Sequence, residues 1–356
     1  MEITTIHYDG YEKVVRCRDV KSGLHALIAV HDTTLGPALG GMRMLPYARE
    51  DDALFDVLRL AKGMTYKSAA ADTGLGGGKS VIIGDPKALK SEALFRAMGR
   101  FVDSLDGRYI TAEDMNIGIK DLEIVRKETR WVTGLSRESG SSGNPSPYTA
   151  LGCQHGMRAV LEELDGVADF RGKRILIQGV GAVGGRLAEL VAAEGARVII
   201  CDIDEAKADR LGKQHGWEVV TDAAHVDVPC DIYAPCARGE GLHDGTIPRL
   251  KCRAIAGAAN NQLLEQRHGR DLKARGILYA PDFLINAGGI INVSIEMLPG
   301  GYDEQKSLKK IESIHTNLRK VFEIARVEGI PTHEAAVRLA EQRIAAGRAA
   351  KLAGKA

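Results

Sequence analysis

One segment near the middle of the chain, residues 174–202, constrains the fold more than any other. The apolar run RILIQ (174–178) leads into GVGAVG (179–184) and a helical pattern, and a second apolar run, RVIIC (197–201), ends at Asp202. A strand, a glycine turn, a helix and an acid about twenty residues after the glycines are typical of a dinucleotide-binding βαβ unit. Strand-like runs near 174–178, 197–201, 231–235, 253–258 and 276–280 predict a parallel sheet with helices on both faces.

Each part of this motif has a physical role. Gly179 permits the tight turn, Gly181 lets the backbone approach a pyrophosphate, and Gly184 lets the helix pack closely on the strand. The N–H groups at the helix start can bind phosphate. Asp202 can accept hydrogen bonds from a ribose 2′-hydroxyl and would repel a 2′-phosphate, which favours NAD over NADP. The alternative is a glycine-rich turn without a ligand. The predicted contacts with the dinucleotide are Gly179, Val180, Gly181, Ala182, Val183, Gly184, Asp202 and Ile203.

The carboxyl ends of the other predicted strands carry small residues beside uncharged amides. Ligands of doubly wound sheets bind at this edge, and such side chains suit a flat nicotinamide ring. Ordinary turn chemistry is the alternative for Asn260 and Asn261. The cofactor contacts predicted here are Cys236, Ala237, Ala258, Ala259, Asn260 and Asn286.

Two lysines lie among small and apolar residues in the first part of the chain. Lys67 ends MTYK (64–67), and Lys79 follows LGGG (75–78). Lys79 does not belong to a phosphate-binding P-loop, because Thr73 stands where that motif needs glycine and a strand, predicted at 80–84, follows. In a partly dry cleft, two neighbouring lysines lower each other's pKa, so that one can hold a carboxylate while the other acts as a base. Two solvated surface lysines are the alternative.

An acidic pair, Glu113 and Asp114, directly follows the apolar run YITA (109–112). Such a change of character is typical of a buried strand that ends at a cleft. The spacing fits a functional carboxylate and a helix N-cap equally well.

The length of the chain, 356 residues, suits two domains. The Gly-, Ser- and Pro-rich segment 134–147 predicts the linker between them. We predict an N-terminal α/β catalytic domain at 1–145, with strands at 24–31 and 80–84 and helices at 51–62 and 91–105 that begin on Asp or Ser caps. A Rossmann domain with a doubly wound parallel sheet is predicted at 146–330. The helical tail, 331–356, either packs back on the first domain or serves a subunit contact.

Composition argues against several classes of function. A net charge of +1 gives no sign of a nucleic-acid or membrane-surface partner, and no apolar run is long enough to span a bilayer. The six cysteines form no C-x-x-C pair, and the ten histidines show no metal-ligand spacing. Free thiols, a cytoplasmic location and no metal site are therefore expected.

Beyond these single features, long segments resemble the leucine, phenylalanine and valine branch of the amino-acid dehydrogenases, relatives of glutamate dehydrogenase. The resemblance runs from about Tyr11 to Ile344. It rests on HDTTLGPALGGMRM (31–44), LRLAKGMTYKSAAA (58–71), LGGGKSVIIGDP (75–86), GRYITAED (107–114), SSGNPSPYTALG (141–152), QGVGAVG (178–184), DIYAPCA (231–237), AGAANNQL (256–263) and YAPDFLINAGGIINV (279–293).

The resemblance implies a two-domain fold and a role for each candidate group. Lys67 matches the residue that binds the substrate α-carboxylate, Lys79 the lysine that activates water, and Asp114 its partner acid. Hydride passes from Cα to NAD, and water converts the imine into a 2-oxo acid and ammonium. A homo-oligomer, from dimer to octamer, is also implied. Other matching positions are Gly40, Gly41 and Met64 beside the substrate and Arg43, Thr149 and Asn260 on the cofactor side.

Four further positions match the substrate side-chain pocket and form an aliphatic lining, which resembles the leucine-using members: Leu39, Ala112, Ile290 and Val293. L-leucine and other branched-chain amino acids are therefore the expected substrates, with overlap among them because one methylene discriminates only about 10–200-fold. Met42, Gly78 and Asn116 depart from the leucine pattern. They keep L-phenylalanine or L-tryptophan open as the substrate.

Two other classes of protein share parts of this pattern. A 2-hydroxy-acid dehydrogenase would use a histidine as acid and base, and no histidine here has a comparable setting. A non-enzymatic NAD-binding module would keep the glycine motif and would not need Lys67, Lys79 and Asp114.

Overall fold

The computed structural model describes residues 1–354 and divides them into two compact units. The first contains Met1–Asn144, Val293–Asp303 and the described residues from Ala340 onward, and the second contains Pro145–Asn292 and Glu304–Leu339. The boundary between Asn144 and Pro145 falls inside the segment predicted as a linker. The prediction of one domain over 146–330 differs from this division, because Val293–Asp303 belongs to the first unit.

The first unit is a six-stranded mixed sheet in the order β1-β2-β3-β5-β4-β6, in which β4 runs parallel to β5 and β6. Helix α1 covers one face through residues such as Val57 and Ala61, and the other face is packed by α3 and α4. Its elements are β1 (Glu2–Ile6), β2 (Lys13–Asp19), β3 (Leu24–Asp32), β4 (Ala38–Leu45), α1 (Glu50–Ala70), β5 (Gly76–Ile83), α2 (Pro86–Leu89), α3 (Glu92–Asp103), β6 (Tyr109–Ala112) and α4 (Ile119–Arg126).

Helix α1 lies directly against the backbone of β5. A Cβ atom at Gly77 would stand only 2.0 Å from the backbone nitrogen of Thr65 on α1. No side chain fits into this space, so helix–sheet packing requires glycine at position 77, two residues before Lys79. The glycine-rich segment is thus a packing device within a strand.

Two predicted elements of this unit are longer than the sequence pattern indicated. The strand predicted at 80–84 begins at Gly76, because the glycine backbones pair with β3 and β4 although they carry no side-chain pattern. The helix predicted at 51–62 runs from Glu50 to Ala70, since Gly63 is exposed and the helix passes through it.

The predicted caps of these helices have different outcomes. The predicted Asp cap of α1 is wrong: its N-cap is Arg49, without a side-chain hydrogen bond, and three acids in the first turn favour the helix dipole instead. The predicted Ser91 cap of α3 is confirmed, because its hydroxyl accepts from the Leu94 N–H.

Glu296 explains why Val293–Asp303 belongs to the first unit. Its carboxylate accepts hydrogen bonds from Gly134 N at 3.1 Å, Ser142 N at 2.9 Å and Ser141 Oγ at 2.7 Å. The partly buried Glu296 carboxylate therefore accepts hydrogen bonds from three donors of the 134–142 loop. The first part of the segment predicted as a linker is consequently an ordered loop.

The second unit is a six-stranded parallel sheet in the order β12-β11-β10-β7-β8-β9, and helices pack against it. This is the doubly wound arrangement, and its strand order reverses between β7 and β10. The predicted Rossmann class is confirmed. The remaining elements in chain order are α5 (Ser146–Asp165), β7 (Arg174–Gln178), α6 (Ala182–Ala193), β8 (Arg197–Cys201), α7 (Glu205–His215), β9 (Glu218–Val219), β10 (Cys230–Pro235), β11 (Cys252–Ile255), α8 (His268–Ala274), β12 (Leu278–Tyr279), α9 (Asp282–Ile285), α10 (Gly288–Ser294), α11 (Glu304–Ile311), α12 (Ser313–Glu328) and α13 (Thr332–Ala353).

The part of α13 from Ala340 onward belongs to the first unit. Arg343 donates to the carbonyl oxygens of Ala69 and Ala70 at 2.9 and 2.6 Å, which are among the last carbonyls of α1. A cation at a helix C-terminus is electrostatically favourable. Across residues 1–354, no helix has the length and apolar character that a membrane crossing requires.

The contact between α1 and β5 generates a stability prediction. We expect Gly77→Ala to lower the free energy of unfolding by about 2 kcal/mol, because the new methyl group must displace the backbone of α1. Urea denaturation followed by circular dichroism measures this change. The matched control is Gly63→Ala on α1, where a Cβ meets open space and helix propensity predicts a gain of about 0.5–1 kcal/mol. Equal stability of the two variants would contradict the packing argument.

Candidate active site

Lys79 lies on β5 and is 5% exposed. Its Nζ is 2.8 Å from Oδ2 of Asp114, which follows β6. Gly41 on β4 makes room for this acid, since a Cβ there would stand 2.7 Å from the Asp114 Cβ. Three neighbouring strands therefore bring a buried amine and a carboxylate together, as the sequence prediction required.

Asp114 rather than Glu113 is the acid of this pair. Neither residue caps a helix, because α4 begins at Ile119 with Gly118 as its N-cap. The pKa of Glu113 is raised by burial and by the neighbouring Asp114 charge. The structure thus excludes the helix-cap interpretation, and the functional role of Asp114 stays a prediction.

A second cation, Arg43 on β4, also binds Asp114. Its Nε donates to Asp114 Oδ2 at 2.8 Å, and its Nη1 donates to Asp56 Oδ2 at 3.1 Å. Tyr47 donates its hydroxyl proton to the same Asp56 oxygen at 2.7 Å. The assignment of Arg43 to the cofactor stays a prediction. Asp56 and Tyr47 are not predicted from the sequence, where their only signal is their place near Arg43 in the chain.

These charges and their burial shift the pKa values in a consistent way. Burial lowers the pKa of Lys79, and the Asp114 carboxylate offsets part of this effect while the Arg43 charge adds to it. Burial acts to raise the pKa of Asp114, but the Lys79 and Arg43 charges outweigh it and hold the pKa below its usual value. Arg43 is thus a cation that lowers the pKa of Lys79, and the mutual effect of Lys67 and Lys79 stays a prediction.

Lys67 lies in the last turn of α1 and is partly buried. Met64 is one turn earlier on the same helix and is also partly buried. Lys67 therefore has a setting different from that of an ordinary solvated lysine. Its assignment to a substrate carboxylate stays a prediction.

The predicted pocket residues fall into two groups. Leu39 and Gly41 lie on one face of β4, and Ala112 on β6 pairs with Gly41, so these three share a face. Gly40 points to the other face, where a Cβ would meet the Gly78 carbonyl oxygen at 1.7 Å, so its position is set by packing. Ile290 and Val293 are one turn apart on α10 and are both 8% exposed.

In the second unit the glycine motif has the geometry of a phosphate cradle. Helix α6 begins at Ala182 with Gly181 as its N-cap and without a side-chain cap, so the first-turn N–H groups of Ala182, Val183 and Gly184 have no side-chain acceptor at the cap. A Cβ at Gly181 would meet open space, whereas one at Gly184 would lie 1.9 Å from the Gly179 carbonyl oxygen. These residues fit a bound pyrophosphate.

Asp202 is fixed against this loop. Its Oδ2 accepts from Val180 N at 2.8 Å, and its Oδ1 accepts from Asp204 N at 3.0 Å. A carboxylate keeps further lone pairs, so it can still accept a ribose hydroxyl. Ile203 beside it is 77% exposed, a large apolar side chain next to a polar cradle.

Most of the other predicted cofactor residues follow the carboxyl ends of strands in the second unit, whereas Thr149 lies on α5 and Asn286 follows α9. Cys236 N donates to Gln178 O at 2.7 Å, and Ala259 N donates to Pro235 O at 2.9 Å. Asn286 Nδ2 donates to Ala258 O at 3.1 Å and to Asn260 Oδ1 at 2.7 Å. Two further predicted contacts pack closely on glycines. A Cβ added at Gly179 would lie 2.6 Å from Ala237 Cβ, and one added at Gly289 would lie 2.9 Å from Thr149 Oγ1. These hydrogen bonds give Asn260 and Asn286 a structural role in the turn.

Two groups of possible metal ligands, which sequence spacing did not reveal, occur within residues 1–354. Ligand atoms of Cys201, Asp222 and His225 lie within 4.8 Å of one another, and burial raises the pKa of the Cys201 thiol to about 12. A second group is Asp244, His268 and Asp271, where Arg267 already provides a cation to both carboxylates. The prediction of no metal site stays a prediction.

The glycine geometry predicts how two variants differ. Gly181→Ala should fold normally and bind NADH at least about tenfold more weakly, because its methyl group occupies the phosphate cradle. Gly184→Ala should lose thermal stability as well, because its methyl group meets the Gly179 backbone. NADH fluorescence titration and thermal melting measure the two effects. The control is Gly185→Ala, whose nearest contact is an ordinary 3.5 Å; unchanged NADH affinity in Gly181→Ala would contradict the assignment.

Comparisons with known proteins identify the family of this chain. The family described as "Glu/Leu/Phe/Val dehydrogenase, dimerisation domain" matches residues 11–131, and "Glutamate/Leucine/Phenylalanine/Valine dehydrogenase" matches residues 140–205 and 199–351. The leucine dehydrogenase of Thermoactinomyces intermedius is 54% identical over 95% of this chain and 91% of its own length. The phenylalanine dehydrogenase of the same organism is 47% identical over 94% and 92%.

A solved structure shares the fold along nearly the whole chain. The crystal structure of L-tryptophan dehydrogenase from Nostoc punctiforme superposes with a TM-score of 0.87 and 43% sequence identity, covering 95% of this chain and 97% of that one. The buried Lys79–Asp114 pair and the glycine cradle thus occur in a chain whose family is established along both units. The protein belongs to the Glu/Leu/Phe/Val dehydrogenase family of amino-acid oxidoreductases.

Proposed function

We propose that this protein is an NAD-dependent L-amino-acid dehydrogenase that converts L-leucine and other branched-chain amino acids into the 2-oxo acid and ammonium, reversibly. The observation that carries the proposal is the buried Lys79 amine, 2.8 Å from Asp114, in a chain of this family. A buried amine with a lowered pKa can exchange protons near neutral pH, which an exposed lysine does poorly.

The residues of the first unit account for the acid–base part of the reaction. The Lys67 ammonium attracts the substrate α-carboxylate. The neutral Lys79 amine takes the proton of an attacking water molecule, and the Asp114 carboxylate stabilises the resulting ammonium. The low exposure of Lys79 keeps these charges away from bulk water, which strengthens the interaction.

The residues of the second unit account for cofactor binding. The first turn of α6 and Gly181 would hold the pyrophosphate, and Asp202 would accept a ribose hydroxyl. The bound nicotinamide supplies the hydride acceptor. The charge of Asp202 supports NAD over NADP, because a 2′-phosphate beside it would be repelled.

The preference for a branched-chain substrate is supported by where the three departures from the leucine pattern lie. Met42 is fully buried in the core between β4 and α3, and Gly78 packs against Tyr109. Asn116 has a φ of 62° and donates its side chain to Met44 O at 3.0 Å. Each of the three serves packing or a turn, so none supports an aromatic substrate.

Two alternatives remain as outcomes of the assay. L-phenylalanine or L-tryptophan as substrate is favoured by the 47% identity to the phenylalanine dehydrogenase and by the 0.87 TM-score of the tryptophan dehydrogenase structure. A non-enzymatic NAD-binding module would give no turnover. We further propose a cytoplasmic location and a homo-oligomeric state; the dimerisation domain that the family name describes supports the homo-oligomer.

The first experiment measures NADH formation with L-Leu, L-Ile, L-Val, L-Phe and L-Trp. We expect the highest kcat/KM with L-leucine and a loss of at least about a thousandfold in Lys79→Ala, since the acid–base group is removed. Lys120→Ala, which removes an exposed lysine on α4, serves as the control. Faster turnover of an aromatic substrate would overturn the pocket assignment, and no turnover by the wild type would overturn the proposed function.

The cofactor preference is tested separately. Asp202→Asn retains an oxygen acceptor for Val180 N but removes the negative charge, so kcat/KM with NADP should rise about tenfold relative to NAD. Asp204→Asn is the control, because it removes a charge two residues away and preserves the N-cap of α7. The same change in both variants would show that the preference does not depend on Asp202.

A further inference from the structure

The Asp56 network consists of Tyr47, Asp56, Arg43, Asp114 and Lys79. Lys79 and Arg43 both contact Asp114 Oδ2 at 2.8 Å. Arg43 in turn contacts Asp56, and Tyr47 donates to the same Asp56 oxygen. With Lys79 protonated, two cations face two carboxylates in this network, and the half-exposed Arg59 adds a third cation at Asp56 Oδ1.

Burial makes this balance important. The side chains of Lys79, Asp56 and Arg43 are only 7%, 14% and 15% exposed. At such positions an uncompensated charge acts on its neighbours with little screening by water. Asp56 offsets part of the Arg43 charge, so its removal would strengthen the effect of Arg43 on Lys79.

Helix α1 connects the network to the rest of the candidate site. Asp56 lies on the helix that carries Lys67, about three turns earlier. The charged groups that act on Lys79 include Asp114 after β6, Arg43 on β4 and Asp56 on α1, and the Tyr47 hydroxyl and Arg59 contact Asp56. The position of α1 against the sheet therefore sets the charge balance around Lys79.

We infer that Asp56 is a positioning residue of the proposed reaction, which holds Arg43 against Asp114 and balances the charge around Lys79. The inference rests on the proposed function, because it assigns Lys79 the role of base. Asp56 contacts neither Lys79 nor Asp114 directly in the contacts described above, and it acts through Arg43.

A purely structural role is the competing explanation. Asp56 also pairs with Arg59 one turn later on α1, at 2.9 Å, and such a pair stabilises a helix only weakly. A structural role would lower stability and activity together. It would leave the pH dependence of the reaction unchanged.

The experiment compares pH profiles of kcat/KM for oxidative deamination in Asp56→Asn and Arg43→Gln. The acidic limb reports the pKa of the base, which must be neutral to act. Asp56→Asn removes a charge that raises the pKa of Lys79, so the limb should move to lower pH by about half a unit, with kcat reduced about tenfold. Arg43→Gln removes a charge that lowers this pKa, so its limb should move to higher pH.

Two further variants control the comparison. Asp52→Asn removes an exposed carboxylate one turn earlier on α1 and should leave the limb and kcat unchanged. Tyr47→Phe removes a hydrogen bond without changing charge and should reduce kcat without moving the limb. If Asp56→Asn does not fold, Asp56→Glu replaces it; a charged side chain there should keep the wild-type limb, and a displaced limb would overturn the inference.

A second readout does not depend on turnover. The 13Cε resonance of Lys79 in lysine-labelled protein, assigned by its loss in Lys79→Ala, should titrate at lower pH in Asp56→Asn than in the wild type. Unchanged titration and an unchanged limb in Asp56→Asn would overturn the inference, as would an equal shift in Asp52→Asn. A wild type without deamination activity would overturn the proposed function alone, because the resonance would still report the charge coupling.

Discussion

The close contact between α1 and β5 is the constraint on which the first unit depends. It requires glycine at position 77, and it places a 21-residue helix over the strand that carries Lys79. Once covered, the lysine needs a counter-charge, because an isolated buried ammonium is strongly disfavoured. Asp114 supplies that charge, and the space over Gly41 lets it approach. Packing and chemistry are therefore coupled through one backbone contact.

The same requirement explains why the site contains a network. Asp114 contacts two cations through one carboxylate oxygen, and Asp56 supplies Arg43 with a second carboxylate. Buried ion pairs are weak sources of stability but hold their members in fixed positions when every partner is satisfied. The reaction proposed for Lys79 needs such positions, since proton transfer depends on geometry before it depends on pKa.

How much of this could be read from the sequence depended on how local each determinant is. The strand at 174–178, the glycine turn and Asp202 follow one another in the chain, and the structure has β7 and β8 at the predicted bounds. The pairing of Lys79 with Asp114 was reached from the strand end at 109–112 and from family resemblance. Arg43 and Asp114, by contrast, are 71 residues apart in the chain, and their contact depends on the register of β4 with β6. Periodicity carries no information on such a register.

Two differences between prediction and structure have the same cause. Because glycine interrupts the side-chain pattern, that pattern alone ends the helix before Gly63 and begins the strand only after the glycines at 76–78. In a sheet, backbone pairing supplies the hydrogen bonds that a side-chain pattern does not reveal, and in a long helix one exposed glycine costs only about 1 kcal/mol. Both differences involve the contact between α1 and β5, because Gly77 on the strand lies against the Thr65 backbone on the helix. The glycines of this segment thus bring α1 close to β5, and with it Asp56 into reach of Arg43.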